Sequence, residues 1–318
     1  MDEGQARSLP LDGGGALALR VWEPAGAPQA SVVIGAAMGV PQSYYAAYAA
    51  WLAQQGYRVW TFDYRGHGES RPATPAGTLR GLRADLLDWV RDYEAVVALA
   101  RAEAPQRPLF LIGHSLGAQL PGLFGQPQRV DGLLSIAAGS GYWRDNAARL
   151  RRRVLLFWHV VVPLATGLCG YFPGRRLGMV GNLPAGVIRQ WRRWCLHPRY
   201  SAAEGEQALA SYARVRFPIL AWTFSDDEMM TLRATRHLLA LYANAPHQVH
   251  TWHPVHARAR RIGHFGLFRA TFRDTLWPHT VAALQALPQL GAGGVPQTTD
   301  VATTVPHTAD HEEEAPTG

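Results

Sequence analysis

Five residues, Gly113-His114-Ser115-Leu116-Gly117, constrain this chain more than any others. They follow an apolar run, Pro108-Leu109-Phe110-Leu111-Ile112, that reads as a short buried strand. They precede Ala118-Gln119-Leu120, which can open a helix. A strand, then G-x-S-x-G, then a helix is the layout of a nucleophile elbow. The serine must sit at a sharp, strained bend so that its hydroxyl projects from the sheet. Side chains two residues to either side would collide there, so both positions need glycine. The competing explanation is a Gly-rich turn that holds a serine incidentally.

A serine nucleophile needs a base, and the base needs an orienting carboxylate. On a strand–elbow–helix scaffold these follow in the order Ser, acid, His. The run Pro218 to Phe224 reads as another buried strand, and Ser225-Asp226-Asp227-Glu228 comes directly after it. Carboxylates at the C-terminal end of a strand are well placed to reach a site above the sheet. Gln248-Val249-His250-Thr251-Trp252 reads as a last strand, with Arg261-Ile262-Gly263-His264-Phe265-Gly266 beyond it. The order Ser115, Asp227, His264 is therefore available. With thirteen histidines a chance match is easy, so the loop position after a strand carries the choice. His250, His253 and His256 have a spacing of three that hints at a metal site on a helix face, but Trp252 and Pro254 break a helix and no acid completes a ligand set.

The set Asp63-Tyr64-Arg65-Gly66-His67-Gly68-Glu69-Ser70, Gly113 to Gly117, Asp226-Asp227 and Gly263-His264-Phe265 resembles an α/β-hydrolase. It is most similar to the branch that holds serine aminopeptidase-like and monoacylglycerol-lipase-like enzymes. Within that branch it resembles a group of uncharacterised bacterial hydrolases. The motifs that carry this are Gly39-Val40-Pro41-Gln42-Ser43-Tyr44-Tyr45, Tyr171-Phe172-Pro173-Gly174-Arg175-Arg176 and Gly263 to Arg269. The resemblance covers roughly residues 15 to 287 and implies an α/β fold with a mostly parallel sheet, flanking helices and a helical lid insertion. Where many relatives carry His-Gly, this chain has Ala36-Ala37, which puts Met38 at the oxyanion position together with Leu116. Such holes use backbone N–H groups, so the change of side chain is tolerable. Relatives favour Gly before the acidic pair, and this chain has Phe224-Ser225. Family spacing favours Asp227 over Asp226. Asp63 reads as structural, anchoring Arg65 or its own loop, and His67 as shaping that turn. His114 reads as a packing residue beside the serine rather than a base. With Tyr142 and Trp143 it is a candidate for the wall of the substrate pocket.

The 318 residues divide into a flexible lead (1–14), a hydrolase core (15–139 and 201–287), a helical lid (140–200) and a disordered tail (288–318). The tail assignment rests on its Gly, Pro, Thr and acidic composition. Within the core, Leu79 to Ala104 reads as one long helix from the spacing of Leu82, Leu86, Trp89 and Tyr93. Cys169 and Cys195 do not make a disulfide framework. The polar opening residues show no secretory pattern, which makes a cytoplasmic protein the expectation. No G-x-G-x-x-G or Walker pattern follows a strand, so neither a nucleotide cofactor nor a metal is expected.

Between Ser140 and Tyr200 stand eleven arginines and a single acid, Asp145, in a chain whose total charge is only +7. The basicity therefore belongs to the lid. Val154 to Phe172 carries no formal charge over nineteen residues, and Pro163, Gly167 and Gly170 argue against a membrane span. An amphipathic helix with its apolar side roofing an acyl pocket fits better, with arginines free to touch an anionic membrane surface. A solvated basic face is the alternative. Nucleic acid is not expected, because no recognition module accompanies the arginines. These features predict a serine hydrolase that cleaves carboxylic esters with an apolar acyl group. The alternatives are a peptidase of the serine aminopeptidase-like type and a catalytically silent binding protein on the same fold.

Overall fold

Strands without a polar face can be satisfied only between two covering layers, and several here are of that kind. The computed structural model describes residues 3–11, 14–71, 79–179 and 181–292. In chain order the first half runs β1 (Gln5–Pro10), β2 (Ala16–Trp22), β3 (Ala30–Gly35), α1 (Ala46–Gln54), β4 (Tyr57–Phe62), α2 (Leu86–Glu103), β5 (Leu109–His114), the short α3 (Leu116–Gln119) and β6 (Gly132–Ile136). An insertion follows: α4 (Ala148–Leu156), α5 (Val162–Cys169), a two-residue ladder of β7 (Tyr171–Phe172) with β8 (Leu183–Pro184), and α6 (Ala185–Leu196). The alternation then resumes with α7 (Glu206–Arg214), β9 (Ile219–Phe224), α8 (Leu232–Leu241), β10 (His247–Trp252) and α9 (Trp277–Ala292).

Eight strands form one sheet in the order β1-β2-β4-β3-β5-β6-β9-β10. β1 and β2 are antiparallel additions at one edge, and every pair from β4 to β10 is parallel. Every residue of β3, β5 and β6 is buried. A parallel sheet points all its strand ends one way, so the loops after β3, β4, β5 and β9 gather on one side. The insertion packs there: Gly181 donates to the Gly39 carbonyl at 3.0 Å, and Met229 and Met230 face the same cavity as Trp158 and Trp191.

Four expectations need correction. The lead is not all flexible, since Gln5–Pro10 pairs along its length with Ala16–Val21. Its polar composition concealed an edge strand exposed on one face. The helix expected over Leu79–Ala104 begins only at Leu86, where Asp85 and Asp88 form a reciprocal capping box. The tail expected from Pro288 does not begin there: α9 runs through Pro288 to Ala292, and the rest of that expectation, 293–318, lies outside the described residues. Pro163 and Gly167 do not interrupt the insertion's first helix. A wide π turn, Phe157–Val161, joins α4 to α5 ahead of Pro163, and the helix is continuous from Ala148 to Cys169. Widening the turn accommodates a residue that lacks an N–H and crowds the preceding carbonyls. The helix stops at Gly170, whose φ of 74° is left-handed.

The capping box yields a simple expectation. Asp85→Ala removes the acceptor for the Asp88 N–H and should cost about 1 kcal/mol of stability. A urea titration should show a lower midpoint at unchanged slope.

Candidate functional site

The bend at Ser115 is built by exclusion. Ser115 has φ 52° and ψ −110°, a conformation that side chains rarely adopt. A Cβ on Gly113 would lie 2.6 Å from the backbone of Ala118, and one on Gly117 would lie 2.0 Å from the Gly35 carbonyl oxygen. Both glycines are therefore obligatory, for close approach rather than for freedom. The strained serine is held by its own backbone, since the Ser115 N–H donates to Ile136 O at 2.9 Å and Ala118 N–H donates to Ser115 O at 3.1 Å.

Gly35 is the register partner of Gly113, so the loop after β3 runs beside the elbow. In that loop the Ala37 N–H is taken by Tyr45 Oη at 3.0 Å, and Met38 follows it, buried. Leu116 opens α3, where a first-turn N–H has no partner inside the helix. Met38 therefore lies in the loop after β3, the strand that pairs with β5, and Leu116 directly follows the serine.

His264 and Asp227 are both buried, and His264 Nδ1 lies 2.8 Å from Asp227 Oδ2. The other oxygen, Asp227 Oδ1, accepts the N–H groups of Met229 and Met230 at 2.7 and 2.8 Å. Asp226 faces elsewhere. It accepts from the N–H groups of Ile262 and Gly263 at 2.8 and 3.1 Å, and so ties down the backbone just before the histidine. Glu228 Oε2 takes the His264 N–H at 3.3 Å and Arg261 at 2.9 Å. Burial pushes the Glu228 carboxyl up, but its own backbone, Arg261 and the His264 N–H outweigh it and hold the pKa below the usual glutamate value. The two carboxylates left open as alternatives are thus both used, for different work, and a third joins them.

Asp63 anchors its loop rather than Arg65: its oxygens accept from the N–H groups of Gln42 and Glu69, each at 2.9 Å. Arg65 pairs instead with Asp92 and Asp88.

The candidate pocket residues need correction. His114 is fully buried, with its ring 5.3 Å from His264 and 5.1 Å from Phe268, and is not among the residues that wall the aromatic cavity. Tyr142 packs on Trp143 and His237, while Trp143 stacks under Arg144. The cavity lies alongside them. It measures about 300 Å³ and is walled by Phe157, Trp158, Phe172, Ile188 and Trp191 from the insertion and by Met229 and Met230 from the Asp227 loop. Consecutive aromatic and aliphatic residues in the insertion were the sequence signal for it. Nothing in the sequence pointed to the two methionines.

A soluble variant of monoglyceride lipase from Saccharomyces cerevisiae superposes with a TM-score of 0.61 at 14% identity, over 89% of this chain and 94% of its own. A carboxyl esterase from Bacillus coagulans gives 0.59 at 13% identity, over 89% and 98%. The chain has the α/β-hydrolase fold. Residues 26–167 match the family described as serine aminopeptidase, S33. Its sequence is 30% identical over 129 residues to the monoacylglycerol lipase of Mycolicibacterium smegmatis, 41% of this chain and 43% of that protein. It is 29% identical over 120 residues to the monoglyceride lipase of Rattus norvegicus, 37% of this chain and 38% of that one. The matched segments thus span less than half the length of these relatives.

Burial, and then the neighbouring His264, push the His114 pKa down from 6.5 to about 3. Between those values the unfolded chain binds a proton that the folded one refuses. The stability that depends on a neutral His114 is therefore complete above pH 6.5 and lost as pH falls toward 3, with a limiting slope of about 1.4 kcal/mol per pH unit. His114→Gln should flatten the dependence of the urea midpoint on pH in that window. An unchanged slope would mean that His114 takes up its proton without unfolding.

Proposed function

We propose that this α/β-hydrolase is a serine esterase of the lipase-like kind, acting on carboxylic esters with an apolar acyl group. The observation that carries the reading is the 2.8 Å bond from Asp227 to the Nδ1 side of a buried His264, whose ring lies 5.3 Å from that of His114, the residue before a serine strained into an elbow. With Nδ1–H donated to the carboxylate, Nε2 is left as the base. His264 takes the Ser115 proton as Oγ attacks the ester carbonyl, and Asp227 stabilises the imidazolium that forms. The N–H groups of Met38 and Leu116 hold the tetrahedral oxyanion, each such donor being worth about 3 kcal/mol. His264 returns the proton to the leaving alcohol. Water then hydrolyses the acyl-enzyme by the same route in reverse.

The aromatic cavity of about 300 Å³ supports an apolar acyl chain, with the insertion as its lid. A peptide's free amine would call for a carboxylate, and this lining holds none, only Arg153 as a charged group. The proteins with similar names, monoacylglycerol and monoglyceride lipases, favour a glyceride-like ester.

A fluorophosphonate probe should label Ser115, and Ser115→Ala should abolish both labelling and ester hydrolysis. Labelling of another serine would remove the assignment. Asp227→Asn should lower kcat by about four orders of magnitude through the wrong imidazole tautomer. Asp226→Asn should act mainly on stability, by about 1–3 kcal/mol, because it turns a donor toward two backbone N–H groups.

The lid also supports a membrane partner. Its long helix is apolar on both sides. Phe157, Trp158 and Val162 face inward, while Leu156, Val160, Leu164 and Leu168 remain 59%, 42%, 60% and 78% exposed along the outer side. Arg149, Arg151, Arg152 and Arg153 crowd its first turns. Leucines in the interface with arginines at the headgroups are the arrangement of a helix lying on an anionic bilayer, at about 1 kcal/mol per arginine. The protein should co-sediment with phosphatidylglycerol vesicles and not with phosphatidylcholine ones, less so as salt rises. Both a triple change of Arg149, Arg151 and Arg152 to Gln and a double change of Leu164 and Leu168 to Ser should weaken sedimentation while sparing hydrolysis of a short soluble ester. Equal sedimentation with both vesicle types, or with neither, would leave the arginines as a solvated face.

A further inference from the structure

His114 is fully buried and bonded at both ring nitrogens. Its Nε2 lies 3.0 Å from the carbonyl oxygen of His264, and its Nδ1 lies 2.9 Å from Tyr45 Oη. A carbonyl oxygen only accepts, so Nε2 carries the hydrogen. A neutral imidazole then has a bare Nδ1, so Tyr45 donates to it. The remaining lone pair of Tyr45 Oη receives the Ala37 N–H at 3.0 Å. Every donor direction in the chain is therefore fixed: Ala37 N–H to Tyr45, Tyr45 O–H to His114, His114 N–H to the His264 carbonyl.

We propose that Tyr45 and His114 are positioning residues that lock the loop carrying Met38, the strand that delivers Ser115 and the backbone of His264 into one geometry. The inference rests on the serine-esterase reading above and adds to it the means by which the three parts keep register. Each partner belongs to a different segment: Ala37 to the loop after β3, His114 to the end of β5, His264 to the loop after β10. Without a direct link these segments would be related only through the sheet. The neighbours support one arrangement. Tyr45 and His114 both pack edge-on or tilted against Phe268, at 4.8 and 5.1 Å, and Tyr44 donates to the Phe265 carbonyl, bracing the same histidine loop from the adjacent residue. His114 must stay neutral for this. A second proton on Nδ1 would face the hydroxyl hydrogen of Tyr45 and force the phenol to turn, which releases the Ala37 N–H. Burial and the adjacent His264 keep that proton away, also when His264 itself becomes charged during the reaction.

The test compares Tyr45→Phe, His114→Gln and His114→Leu with the wild-type chain and with Ser115→Ala, on a short soluble ester. Competent sites are counted by fluorophosphonate titration, so that loss of folded protein is separated from loss of rate. For Tyr45→Phe we expect kcat per titrated site to fall roughly 10- to 100-fold, as for a displacement of reacting groups by a fraction of an ångström to an ångström, with KM within about twofold. His114→Gln, which keeps a donor and an acceptor, should retain more of kcat than His114→Leu. If Tyr45→Phe does not accumulate as folded protein, the Gln-against-Leu comparison decides alone. A Tyr45→Phe enzyme with undiminished kcat per site, or Gln and Leu variants equally active, would overturn the positioning role while an inactive Ser115→Ala leaves the esterase reading standing. An active Ser115→Ala would overturn both.

Discussion

The approach of Gly117 to the carbonyl of Gly35 is the constraint on which the rest of the site depends. A Cβ at Gly117 would stand 2.0 Å from that oxygen, well inside van der Waals contact. The closeness brings the start of α3 against the end of β3 and leaves Ser115 only a bend with φ 52°. Strain of that kind costs of order 1–3 kcal/mol and persists only where the surroundings over-determine it. Here they do. β5 is hydrogen-bonded on both sides, by β3 and β6, and every residue in it is buried. The serine is rigid because the sheet is, and the loops that face it inherit the same frame.

The acidic run after β9 shows how one short loop serves several tasks at once. Asp226, Asp227 and Glu228 are consecutive, so their side chains leave the backbone in different directions. One receives the backbone before the histidine, one the histidine ring, and one the histidine N–H together with Arg261. A single carboxylate could orient the ring, but the ring would still follow any motion of its own loop. Gly263 makes that loop possible, with φ 63° and its Cα against Glu228 at a distance that a Cβ would reduce to 3.0 Å.

The fold was legible because its signals are local and periodic. Unbroken apolar runs announce strands buried on both faces, and a strand, G-x-S-x-G and a helix announce the bend. Family spacing favours Asp227 over Asp226, and Asp227 is the carboxylate that lies at His264 Nδ1. What stayed hidden depends on partners far apart in sequence. β1 reads as polar because it lies at an edge, with its register supplied by β2. Tyr45 is 69 residues from His114, and only the folded sheet brings them within 2.9 Å. His114 reads as a packing residue beside the serine, and its burial agrees with that, but its bonds to Tyr45 and to the His264 carbonyl were not visible in the sequence. Pro163 and Gly167 misled in the other direction. Their average effect is to end helices, and a single π turn is enough to carry the helix past them.

The insertion's long helix is then the one element whose composition exceeds what the fold requires. A helix that only roofed a cavity would be apolar on one stripe and polar outside. This one buries Trp158 and Val162 and still displays four large aliphatic side chains, after a first turn and a half of arginines. Exposing such a stripe to water forgoes burial at about 25 cal/mol per Å² of apolar surface, and single exposed leucines are ordinary only when scattered. Four in line at a spacing of four are not scattered. On the proposed reading a bilayer interface would resolve the excess on both counts, receiving the leucines and neutralising the arginines, at the element that walls the aromatic cavity. An ester whose acyl chain already lies in lipid would meet the inner, aromatic face of the same helix without crossing water.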